Sequence, residues 1–273
     1  MYVVHWTPVG TPVRPNSLIF VHGNGHTGAV WENTPDNRAG WATYFLSKGF
    51  STYVVDLPGH GRSPMPPDYA TMGMDKAIAA LHALLLRAGP SILVGHSMGG
   101  NIVTRVTGTA AAEVRANIAG VVLVAPSRVT ELLSSPGPAL IPETEPYRWP
   151  RDVAASLFTS SDTFPTGSVD QYVESLTPES AHAFNQARQP GAAPPAGGPD
   201  LFSGIPAVVI SGEQDKAVPR ETIEAYSAYF GIPAIIVGPD WGLPGHGHLM
   251  MIEVGNNDIA VHLLDWFAEH ALA

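Results

Sequence analysis

Six short runs of β-branched and aliphatic residues recur along the chain: Leu18-Ile19-Phe20-Val21, Thr52-Tyr53-Val54-Val55, Ile92-Leu93-Val94, Val121-Val122-Leu123-Val124, Val208-Val209-Ile210 and Ile235-Ile236-Val237. Each is nearly continuous in apolar residues, the pattern of a strand covered on both faces. Longer helical patterns lie between them, at about residues 39–48, 75–87, 98–112, 220–230 and 258–270. In the last, Ile259, Leu263 and Phe267 repeat at i, i+4, i+8 and make one core-facing stripe. Strand and helix in alternation specify a mostly parallel central sheet with right-handed crossovers and helices on both faces, an α/β fold.

One stretch breaks the rhythm. From Ser127 to Gly204 there is no strong strand, only Pro-rich loops (Pro136 to Pro150, Pro190 to Pro199) around two helical patterns. A total of 273 residues, 45% of them apolar, suits one large domain with an insertion better than two equal domains. The expected organisation is a core of residues 1–126 and 205–273 with a lid of residues 127–204 over the carboxyl end of the sheet.

Composition narrows the function. Fourteen basic against 24 acidic side chains give a net charge of −10, which argues against a nucleic-acid or anionic-membrane partner. The absence of cysteine excludes disulfides, thiolate metal sites and a cysteine nucleophile. No apolar run is long enough to span a bilayer, and the N-terminus Met1-Tyr2-Val3-Val4-His5-Trp6-Thr7-Pro8 lacks the basic start of a signal peptide. A cytoplasmic protein, monomer or homodimer, is the expectation.

The chemistry centres on Gly95-His96-Ser97-Met98-Gly99-Gly100, which follows a strand and opens a helical pattern. This is G-x-S-x-G in its strand–turn–helix context, where glycines two before and two after the serine relieve crowding at a strained turn. Ser97 then stands beside a helix N-terminus, whose free N–H groups favour developing negative charge. The bland alternative is a Gly-rich turn with an N-capping serine. His22-Gly23-Asn24-Gly25, directly after another strand, offers the second donor loop that a tetrahedral oxyanion needs. The expected donors are the backbone N–H groups of Asn24 and Met98, with a one-residue latitude in the loop. Asp56-Leu57-Pro58-Gly59-His60-Gly61-Arg62-Ser63 reads as a brace for the nucleophile turn, and His26, His60 and His96 as hydrogen-bonded structural residues.

From about Leu18 onward these three motifs resemble the α/β-hydrolase fold family. Trp31-Glu32-Asn33-Thr34-Pro35-Asp36-Asn37-Arg38 with Gly40-Trp41, and the tail His246-Gly247-His248-Leu249-Met250-Met251, resemble a small subgroup of bacterial esterases. The resemblance implies a serine nucleophile, a histidine base and an acid that orients it. The base falls on His248, followed by apolar residues and by Glu253 five places on, with His246 as the alternative. The acid falls on Asp215 in Gly212-Glu213-Gln214-Asp215-Lys216-Ala217-Val218-Pro219, giving the chain order Ser97, Asp215, His248. Two departures weaken transfer of the subgroup's substrates. Its acid is a Glu after the preceding strand, where this chain has Ala125, and some relatives carry a cysteine pair where this chain has Asn24, Gly25 and His26.

Tyr147, Trp149, Leu157, Phe158, Phe164, Tyr172 and Phe184 in the insertion suggest an apolar pocket, with Gly25, His26, Trp149 and Phe158 as its expected lining. No basic residue near the motifs is placed to grip a phosphate or a carboxylate. The expected substrate is a neutral, fairly hydrophobic ester or lactone, with no cofactor and no metal. A lactonase or a β-diketone C–C hydrolase would use the same residues. A non-hydrolytic binding protein or cofactor-independent oxygenase would use the same fold.

Overall fold

The computed structural model describes residues 1–129, 132, 140–189 and 193–273. Its strands are Tyr2–Trp6 (β1), Ser17–Val21 (β2), Thr52–Asp56 (β3), Ser91–His96 (β4), Ile118–Val124 (β5), Ala207–Ser211 (β6) and Ala234–Ile236 (β7). They form one sheet in the order β1–β3–β2–β4–β5–β6–β7. Only β1 is antiparallel, paired with β3 at the edge. The other neighbours are parallel, in register Phe20 to Val94 between β2 and β4, and Val94 to Val122 between β4 and β5.

Strand alternation divides the sheet residues between two cores. Ile19, Val21, Leu93, Val121, Leu123 and Val209 pack on one face. Leu18, Phe20, Ile92, Val94, Val122 and Val208 pack on the other. Each fully buried aliphatic or aromatic side chain contributes roughly 1.5–3 kcal/mol relative to exposure, so both faces must be covered. After the helices Ala29–Glu32 (α1) and Trp41–Ser47 (α2), Asp75–Ala88 (α3) and Met98–Thr109 (α4) bring Ile78, Leu81, Leu85, Ile102 and Val106 to the first face, as does Arg220–Phe230 with Ile223 and Tyr226. Trp41–Ser47 and Asn256–Glu269 cover the second with Trp41, Phe45, Ile259, Leu263 and Phe267. The fold is the mostly parallel α/β sheet that the alternation predicts.

Three local departures have physical causes. β1 falls in a segment where no strand is expected, because its residues are half or fully exposed at the sheet edge and give no continuous apolar run. The helical pattern at 98–112 breaks at Ala110 and Ala111, which are extended, and resumes as the short helix Ala112–Arg115 (α5). Val237 leaves the last strand to begin the helix Val237–Trp241.

Within residues 127–204 the described part carries three α-helices and no strand longer than an isolated bridge: Arg151–Phe158 (α6 of the chain), Val169–Ser175 (α7) and Ala181–Gln186 (α8). Parts of both Pro-rich loops expected here, at 136–139 and 190–192, lie outside the described residues.

Candidate active site

Ser97 sits where β4 ends and α4 begins, with φ +52° and ψ −119°. Positive φ is costly for a residue with a Cβ, and surrounding contacts must hold it there. They do so from the end of β5 and the residues that follow it. The Ser97 N–H donates to the Val124 carbonyl at 2.9 Å, and the Ser97 carbonyl accepts from Ser127 N–H at 2.9 Å. The flanking glycines are sterically required. A Cβ on Gly95 would stand 2.6 Å from the Gly99 carbonyl oxygen, and one on Gly99 would run into the His22 carbonyl. The Ser97 hydroxyl makes no capping hydrogen bond to its helix, which removes the N-cap reading.

A cavity of about 190 Å³ opens above this turn. Asn24, His26, Ser97, Met98 and His248 line it together with Trp149, Phe158 and Phe184 from the 127–204 segment. A larger cleft of about 540 Å³, lined by Ile141, Tyr147, Arg148 and Pro178 among others, contains none of the residues that the motifs single out.

Asp215 and His248 come together from two loops. His248 Nδ1 lies 2.9 Å from Asp215 Oδ2, with side chains only 1% and 2% exposed. The other carboxylate oxygen of Asp215 accepts from the Ala217 and Val218 N–H groups, both at 2.8 Å, which fixes the carboxylate plane. With Nδ1–H committed to Asp215, Nε2 is the nitrogen left for chemistry on the cavity side. The Phe158 ring stacks on His248 with centroids 5.3 Å apart, and buried His96 donates through Nε2 to the His248 carbonyl at 3.0 Å. Ser97 and His248 share the cavity, while no hydrogen bond joins the Ser97 hydroxyl to either tail imidazole among the described residues. Such contacts are often long before substrate binds.

His246 lies elsewhere. Its Nδ1 is 3.2 Å from Glu253 Oε2, in a pair 3% and 0% exposed, and it does not line the cavity. Glu253, read as a feature of the His248 frame, serves His246 instead. Its Oε2 also accepts from Gly247 N–H at 2.9 Å and from Thr163 Oγ1 at 2.8 Å. The loop carrying both histidines is held from the segment around residues 31–41. Arg38 donates to the Ile252 and Glu253 carbonyls and to Asn256 Oδ1, and Trp41 Nε1 donates to the Asn256 carbonyl. At the end of β5, Ala125 is fully buried and supplies no carboxylate.

The loop after β2 is arranged by charge-free imidazoles and by the 127–204 segment. His26 Nδ1 donates to the Asn24 carbonyl at 2.8 Å, and Nε2 accepts from Tyr172 Oη at 2.9 Å. Burial, reinforced by the nearby His248, lowers its pKa to about 3, so the ring is neutral. Trp149 Nε1 donates to Asn24 Oδ1 at 2.6 Å. Gly25 backs the loop instead of lining the cavity. Its N–H points to Glu179 Oε2 at 3.4 Å, and its carbonyl accepts from Thr177 N–H at 2.8 Å. Neither the Asn24 nor the Met98 backbone N–H donates to another described group, whereas the Gly25 N–H faces Glu179.

Glu179 has no sequence signal of its own, yet it also reaches His60 Nε2 at 3.1 Å in a pair with side chains 2% and 3% exposed. Burial lowers the His60 pKa, but the Glu179 carboxylate outweighs it and holds the group above its usual value. Asp56 braces the neighbouring turn, accepting from Gly28 N–H at 2.7 Å and from Arg62 N–H at 2.9 Å. Arg188 is a further residue that motif reasoning does not place: its side chain lines the same cavity, contrary to the expectation of no basic group near the site. Phe164 and Tyr172 pack in the core and not against the cavity. Among the described residues no group of three or more metal-ligating side chains forms a metal site, and no helix is long and apolar enough to cross a membrane.

The model of the alpha/beta hydrolase family matches residues 18–259. A probable secreted lipase, phiG, of a fungal species is 42% identical over 72 residues, covering 26% of this chain and 20% of the relative. A pimeloyl-[acyl-carrier protein] methyl ester esterase of Vibrio parahaemolyticus is 26% identical over 159 residues, covering 58% of this chain and 49% of the relative. The matched part thus spans between a fifth and a half of these curated relatives. Among solved structures, the methylesterase MES16 from Arabidopsis superposes with a TM-score of 0.68 at 20% identity, covering 93% of this chain and 99% of that one. This last likeness speaks for the fold.

Proposed function

The chain belongs to the alpha/beta hydrolase family, and on that premise we propose that it is a serine hydrolase that cleaves a carboxylic ester through an acyl-enzyme. In this reading Ser97 Oγ attacks the carbonyl carbon while His248 Nε2 takes its proton. Asp215 Oδ2 keeps the imidazole in the required tautomer and stabilises the imidazolium that forms. The carbonyl oxygen becomes an oxyanion facing the Asn24 and Met98 amides, the latter at the N-terminus of α4. Collapse of the tetrahedral intermediate expels the alcohol, which takes the proton from His248. Water, deprotonated by the same imidazole, then hydrolyses the acyl-enzyme and restores the serine.

The observation that carries the reading is a strained serine sharing one cavity with an imidazole already fixed by a buried carboxylate. The methyl ester esterase and lipase relatives point to the same bond class. Trp149, Leu157, Phe158 and Phe184 provide the apolar wall for the acyl or alcohol chain, and residues 127–204 act as the lid that carries it. Ser97→Ala is expected to lower kcat for p-nitrophenyl butyrate by about 10⁴-fold or more with an unchanged circular dichroism spectrum. Turnover retained within 10-fold of wild type would overturn the assignment.

A further inference from the structure

Arg188 follows α8 and lines the cavity that holds Ser97 and His248. Its guanidinium lies 4.8 Å from the centroid of the Phe184 ring. It is half-buried, and among the described residues it has no hydrogen-bond or ion-pair partner for any of its five N–H donors. The other half-buried or buried arginines are occupied. Arg38 is tied to Asp36, Arg105 to Asn101, Arg115 to the Leu201 carbonyl and Arg128 to Thr222. A cation in a partly desolvated, aromatic-walled cavity without an acceptor is unfavourable for folding, and a ligand anion there gains more than it would in water.

The position of this charge relative to the chemistry is set by a run of ring contacts. Phe158 stacks on His248, Trp149 meets Phe158 edge-on at 5.2 Å, and Phe184 meets Trp149 at 5.7 Å. The guanidinium completes the series over Phe184. The base and the cation are therefore joined by one apolar wall, the complement of a molecule with an ester at one end, methylenes between and an anion at the other. A planar guanidinium fork matches a carboxylate bidentately, and a single cation balances a single negative charge.

We infer that the substrate is a half-ester of a dicarboxylic acid, its free carboxylate held by Arg188 while Ser97 attacks the ester carbonyl. This rests on the hydrolase reading above and replaces the expectation of a neutral substrate. The subsite adds no chemical step. It orients the chain so that the ester end reaches the serine.

The test compares mono-p-nitrophenyl glutarate with p-nitrophenyl butyrate for wild type, Arg188→Gln and Arg188→Lys. The readout is the ratio of kcat/KM for the anionic to the neutral ester, so that any general change in the pocket cancels. One charge-assisted pair predicts that the ratio falls about 10- to 100-fold in Arg188→Gln, mainly through KM, and recovers in part in Arg188→Lys. An unchanged ratio overturns the subsite while leaving the hydrolase reading intact. If wild type cleaves neither ester, that reading fails, and calorimetric binding of monomethyl glutarate against methyl butyrate decides the subsite separately. Tighter binding of the anion, lost in Arg188→Gln, supports it, and equal binding overturns it.

Discussion

His246 and His248 stand two residues apart and each faces a carboxylate, yet their surroundings assign them different work. The His248–Asp215 pair borders the cavity, and its imidazole has one nitrogen committed and one to spare. The His246–Glu253 pair is sealed behind the same loop, where Thr163 and Gly247 also bind the carboxylate. An imidazole–carboxylate pair is thus not in itself a catalytic device. In the proposed reading, access to the nucleophile makes one pair chemical, while burial away from the cavity, with Thr163 and Gly247 bound to Glu253 Oε2, makes the other structural.

Substituting each histidine in turn separates these roles. His248→Gln is expected to reduce kcat about 10⁴-fold, because in the proposed reading the general base is gone. Both histidines sit in buried carboxylate pairs, so both variants lose stability, and kcat is what separates them. In His246→Gln the stability loss alone is expected. Removing one partner of a buried pair lowers unfolding free energy by about 3 kcal/mol, read by urea titration, with kcat within 10-fold of wild type. A larger activity loss in His246→Gln than in His248→Gln would exchange the two assignments.

The same contrast extends to pH. His22, His26 and His96 are buried and donate to backbone carbonyls, and burial, the leading cause, lowers the pKa of each. The unfolded chain protonates these groups below 6.5 while the folded chain does not. Stability is therefore full above that value and falls below it, by about 1.4 kcal/mol per pH unit for each group. His60 runs the other way, since its pKa is raised by Glu179. Its contribution is fully present below 6.5 and is lost as pH rises through the folded value. Urea titrations from pH 5 to 9 should show a loss on the acid side, and a smaller alkaline loss that is absent in Glu179→Gln. A flat profile down to pH 5 would contradict the neutral imidazoles.

The sequence made the central strands and the Gly95–Gly99 turn legible for a physical reason. Strands buried on both faces must be apolar throughout, and a strained serine must be flanked by glycine, so each leaves a local trace. Edge strand β1 left none, because its exposed positions accept polar residues. Glu179 and Arg188 were illegible because their surroundings come from what the fold brings beside them: the Gly25 amide of the loop after β2 in one case, an aromatic ring in the other. The segment Trp31 to Trp41 was recognisable by resemblance alone. The structure supplies its physical sense as the clamp on the loop bearing both histidines.

The central claim is that one serine is nucleophilic because the neighbouring imidazole can take its proton. A fluorophosphonate probe followed by peptide mass mapping tests it most directly. A single covalent adduct on Ser97 is expected, formed rapidly in wild type, slowly in His248→Gln and at the wild-type rate in His246→Gln. An ester-cleaving wild-type protein that carries no adduct on Ser97 would contradict it.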